Sequence, residues 1–148
     1  MKICIACSAG GHLMEALQLM PALQKNEIFF ITVDRSQSRA VLKGKKSYFI
    51  EDTERKPVKL FKNFTHVLSI ISKEKPDVII STGAAAAIPA LYAGKLIGSK
   101  IIFIESMAAI GKPSSSGKVA YHISDLFIVQ WKSMLRYYKK GVYGEQLI

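Results

Sequence analysis

The chain has 148 residues, of which 49% are hydrophobic, so it is large enough for one domain that buries roughly two-thirds of its unfolded surface. Lys and Arg number 21 against 11 Asp and Glu, and the formal net charge of +10 favours anionic partners such as lipid headgroups, nucleotides or nucleic acids. The longest segment without a charged residue, 78–94, is shorter than the roughly 20 residues of a membrane-spanning helix and contains Pro89, so such a helix is excluded.

A short apolar strand is predicted at Lys2–Cys7, and it leads into the turn Ser8-Ala-Gly-Gly-His12. A helix follows, because apolar residues recur at helical spacing at positions 13, 16, 17, 20 and 23. At such a helix start the unpaired N–H groups attract anions, and Gly10 and Gly11 let a phosphate or diphosphate approach the backbone closely. A tight strand–helix corner without a ligand explains the two glycines equally well. Since Met1 leads directly into the strand without a signal peptide, we expect a cytoplasmic protein.

The two cysteines, Cys4 and Cys7, form a C-x-x-C pattern on this first strand. An odd spacing on an extended strand directs the two side chains to opposite faces of the sheet. Redox and zinc sites need both sulfurs at one point, so we interpret the pair as two separate structural thiols. The sequence has no other cluster of metal-ligand residues, and we expect neither a metal nor another cofactor.

The rest of the chain alternates between predicted strands and predicted helices. Apolar, β-branched segments predict strands at 28–33, 47–50, 77–80, 100–104 and 126–129. Helical periodicity predicts helices at 57–72, 85–96, 118–123 and 131–138, with a loop or short helix at 36–46 and a flexible loop at 114–117. Five or six strands alternating with helices indicate an α/β fold, in which a doubly wound, mostly parallel, Rossmann-like sheet forms one domain over residues 1–148.

Three segments follow directly after predicted strands and therefore belong on the same edge of a parallel sheet, where ligands bind. They are Ser8 to His12, Ser81 to Ala84 and Glu105 to Ala109. His12 can accept a proton from a hydroxyl group at neutral pH, although a hydrogen bond within its own loop explains this residue equally well. A carboxylate at Glu105, at the end of an apolar strand, must be solvated, paired or bound to a ligand, and we favour a functional role for it.

Common nucleotide-binding and hydrolase motifs are absent from the sequence. The segment after the first strand, 9–14, lacks the third glycine of the dinucleotide fingerprint G-x-G-x-x-G. Five residues, where a P-loop has four, separate Gly111 from Gly117, and Val119 stands where a P-loop has Ser or Thr. No G-x-S-x-G or H-E-x-x-H pattern occurs, so the chemistry must come from the sheet edge described above.

Lysine and arginine residues form two clusters, one along the predicted helix 57–72 and one near the C-terminus. They are Lys56, Lys59, Lys62 and Lys73 in the first cluster, and Lys132, Arg136, Lys139 and Lys140 in the second. Lysines beside large apolar residues suit a helix that lies on anionic lipid, but a helix that covers the sheet and turns its charges to water has the same pattern and is the favoured interpretation. Since no RNA-binding aromatic signature accompanies either cluster, we expect no nucleic-acid partner.

Four short segments, in this order and spacing, resemble the oligosaccharide-biosynthesis anchor-subunit family: Ser8-Ala-Gly-Gly-His12, Ser81-Thr-Gly-Ala84, Ile104-Glu-Ser106 and Phe127-Ile-Val-Gln-Trp131. The family includes the membrane-side subunit of the two-chain N-acetylglucosaminyltransferase of N-glycan precursor synthesis, and bacterial proteins of capsule and exopolysaccharide synthesis. Its members are similar to the N-terminal half of a GT-B glycosyltransferase. The resemblance therefore implies a single GT-B acceptor-side domain.

The resemblance also implies an inverting, two-chain glycosyltransferase that transfers a sugar from a UDP-sugar to a polyprenyl-diphosphate-linked acceptor. A partner chain would bind the UDP-sugar, while this chain would hold the acceptor, be inactive alone and lie peripherally on the inner face of the cell membrane. His12 would deprotonate the acceptor hydroxyl, and Glu105 would line the cleft as a second catalytic residue. The residues implied in binding the acceptor diphosphate are Ser8, Ala9, Gly10, Gly11, Ser81, Thr82, Gly83, Ala84 and Ser106. The alternative is a stand-alone module that binds a nucleotide or phosphosugar without catalysis.

One position departs from this resemblance. Relatives commonly carry an arginine after the Glu-Ser pair, where this chain has Met107-Ala-Ala109. An expected cation is therefore missing from the cleft, and the preference for the acceptor is expected to differ.

Overall fold

The fold is built on one parallel sheet with the strand order β3-β2-β1-β4-β5-β6-β7. The computed structural model describes residues 1–52 and 56–144. Every neighbouring pair of strands runs parallel. The strands are β1 (Lys2–Cys7), β2 (Glu27–Val33), β3 (Ser47–Ile50), β4 (Val78–Gly83), β5 (Lys100–Ile104), β6 (Leu126–Val129) and β7 (Val142–Tyr143).

Helices cover both faces of this sheet. One core cluster joins the sheet to α4 and α5 through Val67, Ile71 and Leu91, and the other joins it to α1 through Leu13 and Ala16. The helices are α1 (Gly11–Leu17), α2 (Met20–Leu23), α3 (Ser36–Val41), α4 (Pro57–Glu74), α5 (Ile88–Ile97) and α6 (Ser115–Tyr121), with 3₁₀ turns at Ala85–Ala87 and Lys132–Arg136. The predicted doubly wound, parallel α/β sheet is confirmed.

The central strand β1 is apolar on both sides because it lies between two cores. Cys4 packs in the cluster with α4 and α5, whereas Cys7 packs in the cluster with α1. Both thiols are buried and free. The prediction that the two side chains point to opposite faces is confirmed, and burial raises the pKa of both thiols, so both stay protonated at neutral pH.

Three predicted helices have different limits in the structure. The first is broken into α1 and α2, because Pro21 in the first turn of α2 has no N–H to donate to the carbonyl of Leu17. The segment 114–117, predicted to be a flexible loop, instead begins α6: the Ser114 side chain accepts a hydrogen bond from the N–H of Gly117 and caps the helix. The helix predicted at 131–138 is a 3₁₀ turn over Lys132–Arg136.

Two strands also differ from the prediction. Ser81 to Gly83 were predicted to form a turn, but they are the end of β4, where Gly83 pairs with Cys7 after a register shift. The two-residue strand β7 was not predicted, because Val142 and Tyr143 are too short a segment to show alternation. The chain therefore leaves β4 three residues later than expected, after Gly83 instead of after Ile80.

A buried carboxylate ties α4 to the sheet at the amino ends of the strands. Glu74, the last residue of α4, is 6% exposed. Its carboxylate contacts the ammonium groups of Lys2 and Lys46, both at 2.8 Å, and accepts a hydrogen bond from the hydroxyl of Tyr48. These donors, Lys2 foremost, lower the pKa of Glu74 from 4.5 to about 2.

We predict that Glu74→Gln destabilises the protein on the order of 2 kcal/mol at pH 7, because a carboxyl group with a depressed pKa stabilises the fold above its unfolded pKa. The difference from wild type should shrink as the pH falls from 4.5 towards 2. Urea unfolding at pH 7 and pH 3 measures it. The control is Glu27→Gln, since Glu27 contacts the same lysines but its side chain is 59% exposed, and it should cost less than about 1 kcal/mol. Equal losses in the two variants would contradict the prediction.

Candidate functional site

A cavity of about 880 Å³ opens where the chain leaves the carboxyl ends of β1, β2 and β4. This is the edge of a parallel sheet at which ligands bind. The predicted residues that line it are Ser8, Ala9, Gly10, His12 and Ala84. The predicted residues that do not line it are Gly11, Ser81, Thr82, Gly83, Glu105 and Ser106. Most of the second group is buried, because the ends of β4 and β5 point their side chains into the cores or against neighbouring loops.

The backbone of the cavity wall adopts unusual conformations at two corners. Gly10, the N-cap of α1, has φ 82° and ψ −139°, a conformation open to glycine and costly for other residues. Ala84 has φ 74° and ψ 155°, although it carries a side chain. Its N–H donates to the Ser116 hydroxyl oxygen at 3.2 Å, which helps to hold this strained residue.

The His12 ring lies against the end of β4 and is fixed there by hydrogen bonds. Nδ1 is 2.9 Å from the carbonyl oxygen of Thr82, and the Thr82 hydroxyl donates to the carbonyl oxygen of His12 at 2.6 Å. A Cβ on Gly83 would lie 3.1 Å from Cε1 of the ring, so a side chain there would crowd it. Because a carbonyl oxygen only accepts, Nδ1 carries the hydrogen, and Nε2 of the neutral ring keeps its lone pair. That arrangement suits a general base.

Glu105 has a structural environment that differs from the one expected. It is 1% exposed, and its carboxylate accepts hydrogen bonds from the N–H of Ser106, the N–H and hydroxyl of Ser114 and the hydroxyl of Tyr138, at 3.0, 3.2, 2.7 and 2.6 Å. Burial, and then the Glu105 carboxylate, raise the pKa of Tyr138, so its hydroxyl stays a donor. Internal donors thus occupy the carboxylate, which joins β5 to the start of α6 and does not reach the cavity.

Residues that the sequence did not single out form the other wall of the cavity. They are Val33, Arg35, Ser36, Gln37, Asp52, Ala85, Ala86, Ser114, Ser115 and Ser116. Arg35 follows β2, so the rule that ligands bind at carboxyl ends of strands identifies it. Its guanidinium pairs with the carboxylate of Asp52. The serines of α6 follow no strand, and their place in the wall depends on the contact between Ser114 and Glu105.

Within residues 1–52 and 56–144, no group of three or more His, Cys, Asp or Glu side chains is placed to hold a metal ion. None of the helices described there combines the length and the apolar character that crossing a membrane requires.

The sequence of this chain is similar to a described family and to curated proteins. The family model "Oligosaccharide biosynthesis protein Alg14 like" matches residues 53–147. The human "UDP-N-acetylglucosamine transferase subunit ALG14" is 24% identical over 182 aligned residues, which cover 100% of this chain and 83% of that protein. The "UDP-N-acetylglucosamine--N-acetylmuramyl-(pentapeptide) pyrophosphoryl-undecaprenol N-acetylglucosamine transferase" of Clostridium botulinum is 28% identical over 148 residues, which are 89% of this chain and 40% of that protein.

Solved structures contain the same fold within longer chains. MurG from Acinetobacter baumannii matches with a TM-score of 0.77 and 16% identity, over 90% of this chain and 43% of that protein. This chain therefore spans less than half the length of that structure. At such low identity the likeness shows the fold, a Rossmann-like α/β fold of the kind found in GT-B glycosyltransferases.

The contacts of Glu105 predict the effect of a substitution at Gly117. A Cβ at Gly117 would lie 2.1 Å from Oε2 of Glu105 and 2.6 Å from the Tyr138 hydroxyl. Alanine favours a helix by about 1 kcal/mol over glycine, but overpacking costs about 1–3 kcal/mol. These two effects leave a net loss of about 0–2 kcal/mol. Because the atoms in the way are a buried carboxylate oxygen and the hydroxyl that donates to it, we predict a loss in the upper half of that range, about 1–2 kcal/mol, for Gly117→Ala.

Denaturant unfolding measures this change. Gly111→Ala is the control, because nothing lies within 4 Å of a Cβ at that position, and it should stay within about 0.5 kcal/mol of wild type. A Gly117→Ala variant as stable as wild type would contradict the prediction, because Glu105 and Tyr138 would then move aside at no cost in stability.

Proposed function

Because this chain belongs to the family of Alg14-like oligosaccharide biosynthesis proteins, we propose that it is the acceptor-binding, membrane-side subunit of a two-chain inverting glycosyltransferase. The partner chain binds a UDP-sugar, and the sugar passes to an acceptor carried on a polyprenyl diphosphate. The name of the human relative, a transferase subunit, supports the two-chain arrangement, and that of the Clostridium botulinum relative supports a pyrophosphoryl-polyprenol acceptor. The biological setting that we propose is capsule or exopolysaccharide synthesis.

The observation that carries this proposal is the placement of a base beside an open glycine turn in one cavity. Ser8, Ala9, Gly10 and His12 line the same space. Nothing lies within 4 Å of a Cβ built on Gly10, so an anionic ligand has room to approach the backbone. Arg35, whose guanidinium is paired with Asp52, also lines this cavity and can donate hydrogen bonds to an anion there. A diphosphate at the turn would place the sugar hydroxyl of the acceptor near His12.

The proposed reaction needs a base and a well-held acceptor from this chain. Nε2 of His12 takes the proton of the acceptor hydroxyl while its oxygen attacks the anomeric carbon of the donor sugar. The new carbon–oxygen bond forms as the bond to UDP breaks, UDP leaves with the electron pair, and the anomeric configuration inverts. His12 then releases its proton to water. Glu105 contributes indirectly, because its hydrogen bonds hold the Ser114 wall of the cavity in place.

An apolar and basic surface lies at the start of α4, at the sheet edge that carries the cavity. Val58 and Phe61 are 81% and 71% exposed, and Lys56 and Lys62 are exposed beside them. Further along α4, Val67 is fully buried in the core. The first turns of α4 therefore have the pattern of a helix on anionic lipid, and the rest has that of a covering helix. We place the peripheral membrane contact on these first turns, with a bilayer rich in anionic lipid as the occupant.

We predict that His12→Ala lowers the turnover of the reconstituted pair of chains by ~10²- to 10⁴-fold, as expected for a lost general base. Transfer is measured with a UDP-sugar and a polyprenyl-diphosphate-linked acceptor. His122→Ala is the matched control, because His122 is exposed at the end of α6, and it should leave turnover unchanged. The chain alone should transfer little. Full activity of the lone chain, or unchanged turnover in His12→Ala, contradicts the proposal. Tight UDP-sugar binding by the lone chain favours the stand-alone module.

We predict that Val58→Ser combined with Phe61→Ser weakens binding to anionic vesicles by ~10-fold or more, since each side chain loses the free energy of apolar burial. Cosedimentation with phosphatidylglycerol vesicles measures the affinity. The control is Leu96→Ser: Leu96 is also 71% exposed, but it lies at the far end of α5, on the opposite sheet edge. Equal losses in the two variants, or none in the first, would place the membrane contact elsewhere.

A further inference from the structure

A second glutamate, Glu15, lies within ion-pair distance of the His12 ring. It is on α1, three residues after His12, and is 6% exposed. Its Oε1 accepts hydrogen bonds from the N–H of Met107 at 3.0 Å and from the hydroxyl of Ser106 at 3.3 Å. Its Oε2 is buried, has no hydrogen-bond partner among the described residues and lies 3.8 Å from Nδ1 of His12.

A buried carboxylate oxygen without a partner is unfavourable unless a positive charge lies close to it. Within the described residues, His12 is the basic side chain that comes within ion-pair distance of Glu15. The ring is neutral until Nε2 accepts a proton, and it then becomes a cation next to the unpartnered oxygen. The same proton transfer that the acceptor requires therefore also supplies Glu15 with its counter-charge.

We infer that Glu15 is the positioning residue that stabilises the His12 imidazolium formed during transfer. The inference rests on the proposed role of His12 as general base. The Thr82 carbonyl keeps the hydrogen on Nδ1, and Glu15 adds the negative charge that favours proton uptake at Nε2. The proton comes from the acceptor hydroxyl, stays on Nε2 while the new glycosidic bond forms, and leaves to water.

The other titratable groups around His12 and Glu15 are either neutral or already paired. Burial raises the pKa of the Cys7 thiol on β1 to about 12, so it is neutral at pH 7. Glu105, beyond Ser106, has hydrogen-bond donors on both carboxylate oxygens. Across the cavity, Arg35 is paired with Asp52. On β4, Thr82 contributes a hydroxyl and a carbonyl, and neither titrates.

The test begins with Glu15→Gln, which removes the charge and keeps an oxygen for the N–H of Met107 and the hydroxyl of Ser106. In the reconstituted pair we expect kcat to fall ~10- to 100-fold with KM within ~2-fold of wild type. The acid limb of the kcat–pH profile should move to lower pH, because the ring without its anion is protonated less readily. Glu15→Asp, which keeps the charge, should recover part of both effects. Exposed Glu27→Gln should change neither.

A second measurement needs no transfer reaction. In ¹⁵N spectra of the imidazole rings of this chain alone at pH 6.5, the charged fraction of His12 should be smaller in Glu15→Gln than in wild type, while exposed His66 and His122 serve as internal references. An unchanged fraction, or a kcat loss without movement of the acid limb, overturns the inference. Suppose that the charged fraction of His12 in this chain is smaller in Glu15→Gln, but the reconstituted wild-type pair transfers no sugar. That result supports the coupling of Glu15 to His12 and refutes the proposed function instead.

Discussion

The site depends on a reciprocal pair of hydrogen bonds between the start of α1 and the end of β4. Thr82 donates through its hydroxyl to the backbone of His12, and its own carbonyl accepts from the His12 ring. Thr82 is fully buried, so water does not compete for these bonds. The missing side chain of Gly83 lets the ring approach the strand. One contact therefore decides both where the ring lies and which of its nitrogens carries the hydrogen.

Two buried glutamates hold the ends of the segment 107–114, whose last residue lines the cavity. Glu15 binds the N–H of Met107 at one end of this segment, and Glu105 binds the N–H of Ser114 at the other. Ser114 in turn caps α6, and Ser116 in the same turn accepts from the N–H of Ala84. Burying a carboxylate is costly, but these backbone and hydroxyl donors offset much of the cost. One of these acids, Glu15, is thus a close neighbour of the proposed base.

The helix α4 is exposed in its first turns and packed against the sheet in its later turns. Its later turns bury Val67 and Ile71 against the sheet, and its last residue, Glu74, is tied to lysines at the amino ends of the strands. Its first turns expose Val58 and Phe61 at the opposite end, on the sheet edge that carries the cavity. An acceptor with a lipid tail and a diphosphate head needs an apolar surface and an anion site close together. The direction of α4 across a parallel sheet brings the two to one edge.

By itself, the sequence determined the order of strands β1 to β6, the parallel sheet, the opposite faces of Cys4 and Cys7, and the place of His12 at the carboxyl edge of the sheet. Apolar periodicity and glycine turns are local, so they can be recognised in a single segment. Tertiary structure decided that Glu105 is enclosed by Ser114 and Tyr138, and that Glu15 lies within ion-pair distance of His12. Tyr138, which donates to Glu105, lies 33 positions away from it along the chain, and Met107, which donates to Glu15, lies 92 positions away. No local sequence pattern shows that residues so far apart will meet.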